Sequence, residues 1–239
     1  MVRTAVVAMR CADEQEHVPA VADGVRALLS GDWGVVLVSP GPLSGAVTLT
    51  IGTTGAGRRA VPMLAHMLVD PADPAFAHLD GALDPAPLGV LETEAISSLV
   101  ESGFPVVVTG HVPVVPRGDT YHGVTAILDE AAAAQRLAGD LGAPILIFVV
   151  GDDEGPAAGE IDIVEAERRL AAEPALAPEL RAAVRFLRAG GQLAVITTAL
   201  HVADAVDGSH DPDGAPTLRI LSKLPRVRSE APALAAGWC

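Results

Sequence analysis

Residues 144–150 read Pro-Ile-Leu-Ile-Phe-Val-Val, with no polar side chain at either parity. Such a strand cannot turn one face to water, so it belongs inside a parallel sheet with helices on both sides. Residues 4–9, Trp33–Val38, 106–108 and 193–197 are similarly apolar on both faces. Val61–Val69 and 217–221 read as further strands. Between these runs, apolar residues fall at helical spacing. In 17–29 the face is Val18, Val21, Val25, Leu28 and Leu29, and 129–141 is stopped by Gly142. Segments 163–172, 178–189 (stopped by Gly190-Gly191) and 200–206 read as helices as well. The alternation predicts an α/β chain: a three-layer α/β/α sandwich with a mainly parallel central sheet. With no internal repeat or linker, residues 1–224 read as one domain and 225–239 as a Pro/Ala-rich tail.

The stretch 85–129 carries the site. Leu91, Ala95, Ile96, Leu99 and Val100 give its first part a helical pattern, ended at Gly103. The buried strand 106–108 then ends in Thr109-Gly110-His111, and the C-terminal ends of such strands are where open α/β sheets hold ligands. Segment 46–57, rich in Thr and Gly, has no clear assignment. The formal charge of −14 excludes nucleic acid and anionic membrane as partners, which need clustered Lys and Arg. No apolar run spans a membrane, and the first residues lack a signal pattern, so a cytoplasmic protein is expected. Cys11 and Cys239 suggest neither a disulfide framework nor a metal motif. The only lysine is Lys223.

Residues Pro85, Pro87, Gly89, Val90, Leu91 and Glu92, then Gly110, Val112, Pro113 and Val114, resemble the carbamate kinases of the amino acid kinase family. So do 123–131 (Gly-Val-Thr-Ala-Ile-Leu-Asp-Glu-Ala), 69–76 and 183–191. The resemblance covers about 60–221 and is fainter before that. It implies the sandwich fold, the reaction of ATP with carbamate to ADP and carbamoyl phosphate, and a homodimer. It places ligand-binding positions at Arg10, Gly41, Gly45, Gly110, His111, Tyr121, His122 and Asp129. It also makes Asp152 and Asp153 nucleotide-loop residues, with ATP and Mg as cofactors only if that loop has survived.

The departures from the family pattern fall on the chemistry. Where the family has a Gly-Gly-Asn phosphate cradle, this chain has Arg10-Cys11-Ala12, and Cβ atoms crowd the backbone approach. Pro40 removes a donor from the second turn. The two family lysines are replaced by Glu130 and Glu179. Phosphoryl transfer depends on positioning and on cations around the transferred group, and two anions reverse that field. A lid between residues 76 and 85, and a helical stretch between 45 and 59, are expected to be missing. Arg10, Arg58, Arg59 and Arg117 are the candidate replacement cations, Arg10 the best placed. The acidic triplet Asp152-Asp153-Glu154 reads as a solvated turn or a cation ligand. Three functions stay open: a binding, regulatory or assembly subunit without phosphotransfer, an enzyme with altered chemistry using His111, Tyr121 and His122, and, ranked last, an ordinary carbamate kinase. Neither the ligand nor the partner follows from the sequence.

Overall fold

A computed structural model describes residues 2–10, 17–39, 44–51, 58–70, 82–83, 87–124, 126–207 and 216–222. In chain order the first half comprises β1 (Arg3–Met9), α1 (Val18–Ser30), β2 (Trp33–Val38), α2 (Ser44–Ile51), β3 (Val61–Val69), β4 (Ala82–Leu83), β5 (Pro87–Val90) and α3 (Thr93–Glu101). Then come β6 (Val106–Arg117), β7 (Thr120–Gly123), β8 (Ala126–Ile127), α4 (Glu130–Asp140) and β9 (Ile145–Val150). The remainder is β10 (Gly159–Asp162), α5 (Ile163–Arg169), α6 (Ala177–Arg188), β11 (Leu193–Thr198), α7 (Asp204–Asp207) and β12 (Leu218–Leu221).

The main sheet runs β10-β12-β11-β9-β1-β2-β6-β3-β5, with β7 hung on β6. Its central pairs are parallel, from β11 through β9, β1, β2 and β6 to β3. Antiparallel pairing is confined to β11/β12, β3/β5 and β6/β7. The two-sided apolar strands explain this order. Val6, Val36, Val108, Leu146 and Ile196 face one layer, with Ile96, Leu137 and Phe186 from α3, α4 and α6. Their neighbours Val7, Val35, Val107, Ile147 and Val195 face the other, with Val21, Val25 and Leu28 from α1. The three-layer, mainly parallel sandwich is therefore the observed fold.

Small residues set the helix distances. Ala131, Ala133, Ala134 and Ala138 put α4 flat against the sheet, which is how a core with few aromatics reaches density. Gly191 fits because a Cβ there would lie 2.4 Å from the Phe186 ring. Gly103 ends α3 at φ +80, a conformation that favours glycine.

Four local readings are corrected. Residues 87–90 form an edge strand rather than the start of a helix, which begins only at Thr93; the two prolines disfavour helix, and an edge tolerates Pro87. The strand of 106–108 does not end at Thr109-Gly110-His111 but continues to Arg117. An irregular register opposite Met63/Leu64 accommodates the passage, and the Thr109 hydroxyl donates to the Met63 carbonyl at 3.1 Å. Between 45 and 59, where a helical stretch was expected to be missing, α2 at Ser44–Ile51 supplies helix to the start of the unassigned segment 46–57, of which 52–57 lie outside the described residues. The helix expected at 200–206 is a 3-10 turn, Ala199–His201, followed by the short α7. Strand β10 was not expected, because Gly-Glu-Ile-Asp is too short to show alternation. The expected lid region and the tail lie outside the described residues, apart from β4.

Candidate functional site

At the C-terminal ends of β1, β2 and β9 lies a cavity of about 200 Å³. Ala8, Val38 and Phe148 give it an apolar floor, and the starts of α4 and α6 supply Asp129, Glu130, Pro178 and Glu179. Arg10, the first residue after β1, lines it as well and is tied down by its backbone N–H donating to the Val149 carbonyl at 2.9 Å.

The Arg10 guanidinium is held through both of its terminal nitrogens. Nη1 donates to the Ala175 carbonyl at 2.7 Å and to both Glu179 carboxylate oxygens at 3.0 Å. Nη2 donates to Glu154. Glu179, in the first turn of α6 where the helix dipole favours an anion, is only 2% exposed. Burial pushes its carboxyl above the ordinary value, outweighing the downward pull of Arg10. For Arg10, burial pulls down, but Glu179 and Glu154 together hold the guanidinium above its ordinary value. Arg10 is the only cation among the described residues lining the cavity, against three carboxylates in the same lining.

Asp129 is the N-cap of α4: its Oδ1 accepts from the Ala131 and Ala132 N–H groups at 2.8 and 3.1 Å. A cap of this kind contributes about 1 kcal/mol. The site thus brings together Arg10, Asp129, Glu130 and Glu179 from the sequence-based set.

The other sequence-based positions lie elsewhere. Tyr121 and His122 are exposed on β7, with Tyr121 opposite Pro116 of β6. His111 pairs with Ala65 five residues earlier on β6, roughly 16 Å away along the strand. The three do not form a cluster. Gly110 and His111 are inside β6 rather than in a turn. Gly45 is in the first turn of α2, and Gly41 lies outside the described residues. Asp152 and Asp153 are exposed on a 3-10 turn, with an Asp152 oxygen 3.5 Å from His17 Nε2. Among the described residues no cluster of His, Cys, Asp and Glu is arranged to hold a metal ion. Arg58 stacks over Phe104 at 5.1 Å. Sequence reasoning missed that Glu154 and the Ala175 carbonyl complete the Arg10 clamp. The available signal was that a new cation at position 10 and a new anion at 179 compensate each other.

His111 has a distinct consequence. Its Nε2 is buried with no hydrogen-bond partner among the described residues, and burial lowers the imidazole to about 4 from 6.5. The unfolded chain therefore takes up this proton first as pH falls, so the contribution is full above pH 6.5 and is lost towards pH 4. The loss is expected to reach roughly 3 kcal/mol. Glu179 opposes it, because a raised carboxyl adds stability on acidification. Urea midpoints at pH 7 and 4.5 should converge in His111→Gln; an unchanged pH slope would exclude this role.

Over its matched half, the chain is similar to curated carbamate kinases. It is 36% identical over 140 residues to that of Halobacterium salinarum, covering 52% of this chain and 46% of the relative. For the Clostridium perfringens enzyme the figures are 31% over 136 residues, 51% and 43%. The chain thus spans about half the length of the curated relatives it matches. The solved Giardia carbamate kinase superimposes with a TM-score of 0.72 at 21% identity, over 93% of this chain and 99% of that one. Over the matched half the chain is carbamate-kinase-like in sequence, and its fold is that of the Giardia carbamate kinase. No protein-family model matches it. In this carbamate-kinase-like chain, Glu130 and Glu179 hold the positions that the sequence resemblance gives to lysines. No helix of the described residues is long and apolar enough to cross a membrane.

Proposed function

We propose that this chain has lost ATP-dependent phosphoryl transfer and keeps the fold as a small-molecule-binding, regulatory or assembly subunit. One observation carries the reading: Arg10, the cation beside the cavity, is clamped by Glu179, Glu154 and the Ala175 carbonyl. A phosphate entering the cavity would meet carboxylates whose cation is already committed, where a kinase needs uncommitted positive charge. An active enzyme with altered chemistry loses its geometric support, since His111 is set apart from Tyr121 and His122. A coupled assay supplying ATP, Mg and carbamate is expected to give carbamoyl phosphate no faster than a protein-free control. Turnover several-fold above that control would overturn the reading.

The proposal includes pairing as a homodimer. Leu64, Leu88 and Leu91, at 54%, 47% and 38% exposure, leave apolar area on and beside the β3/β5 edge. Light scattering at micromolar concentration should give twice the chain mass, and a monomer would rule pairing out.

A further inference from the structure

Beyond the cavity, α4 and α6 enclose a second indentation of about 130 Å³, bounded by Pro87 of β5 and by Ala132, Pro178, Arg181 and Arg185. Arg10, Arg26, Arg136, Arg168, Arg169, Arg188 and Arg219 are each ion-paired. Arg181 and Arg185 are exposed and have neither an ion-pair nor a hydrogen-bond partner among the described residues. They stand four apart on one helix, where like charges repel. Arg185 lies in the last turn of α6, where the helix dipole favours a cation, but Arg181, one turn in from the start, has no such support. In a chain of net charge −14, two neighbouring guanidiniums with no partner among the described residues are a concentration of positive charge beside a concavity.

We infer that Arg181 and Arg185 bind a small oxyanion, a carboxylate or a phosphate. Paired guanidinium forks match such groups in geometry and charge. Pro87, Pro178 and Ala132 line the same indentation. Asp129 also lines the indentation, but its Oδ1 is committed to capping α4. Because Asp129 and Pro178 line the main cavity too, the oxyanion site adjoins its entrance. The inference stands apart from the loss of phosphoryl transfer, since the residues differ.

The test is titration calorimetry with inorganic phosphate and, separately, with succinate, at ionic strength held constant with chloride. Saturable binding is expected to the unmodified chain, at least about tenfold weaker in Arg181→Gln/Arg185→Gln. That variant removes a like-charge pair, so its melting temperature should equal or exceed that of the parent. Arg168→Gln, which removes an exposed cation paired with Glu165 on α5, should change the affinity less than twofold. Saturation by one probe alone identifies the oxyanion as phosphate or carboxylate. No saturation by either probe, an unchanged curve in the double variant, or loss of binding in Arg168→Gln would each overturn the assignment.

Discussion

Arg10→Met is expected to destabilise the protein by about 3–5 kcal/mol, while Arg10→Met/Glu179→Met should lose much less. Removing one partner of a buried ion pair strands the other, whereas replacing both with apolar groups is often nearly neutral. Here Glu179 is 2% exposed and Arg10 only partly buried, so the stranded group is the carboxylate. The cost has a definite pH dependence. Burial already raises Glu179, and without Arg10 it should rise further, so the variant is nearest the parent in acid and falls behind as pH rises through that carboxyl's folded pKa. Urea unfolding of the parent, both single variants and the double at pH 5 and 8 gives the coupling directly. Additive single effects would show that the clamp contributes nothing as a pair.

Restoring lysine at both lost positions, Glu130→Lys/Glu179→Lys, should leave carbamoyl phosphate formation at the control rate. Each cation at a transferring phosphate is worth roughly 10³–10⁵ in rate, so simple charge logic would predict a large rescue. The site argues otherwise. A lysine at 179 would face Arg10, which reaches both Glu179 oxygens at 3.0 Å, and the buried pair would become a buried repulsion. The expected result is therefore a lower melting temperature without turnover. Adding Arg10→Gly should recover stability, because it removes the opposing cation. Activity in the lysine double variant alone would show that charge at these two positions was the only defect.

The frame was readable because its strands are apolar on both faces. Val6 and Val7 can face opposite layers only in a covered sheet, and the sequence shows this without any partner. Helix α1 is legible from its apolar spacing, and α4 and α6 from spacing together with Gly142 and Gly190-Gly191 that follow them. Pro87–Val90 was misread because Leu91, Ile96 and Val100 extend a helical pattern backward over residues that pair with β3. The passage of β6 through Gly110 was hidden because glycine in a strand reads like glycine in a turn. For the site, positions were readable and pairings were not. Arg10 and Glu179 were each identified as anomalous, yet 169 residues separate them, and only the sheet brings them together.

The central place of β1 has a consequence for synthesis. Its partners are β2, which follows soon after, and β9, which begins at Ile145. At roughly 5–20 residues per second, β9 leaves the ribosome on the order of ten seconds or more after β1. Until then the nascent chain carries Val6 and Val7 with neither layer complete and one strand edge unpaired, a species that invites aggregation. The Arg10 clamp needs α6 as well, so it closes later still and marks a chain whose sheet has assembled around its own beginning.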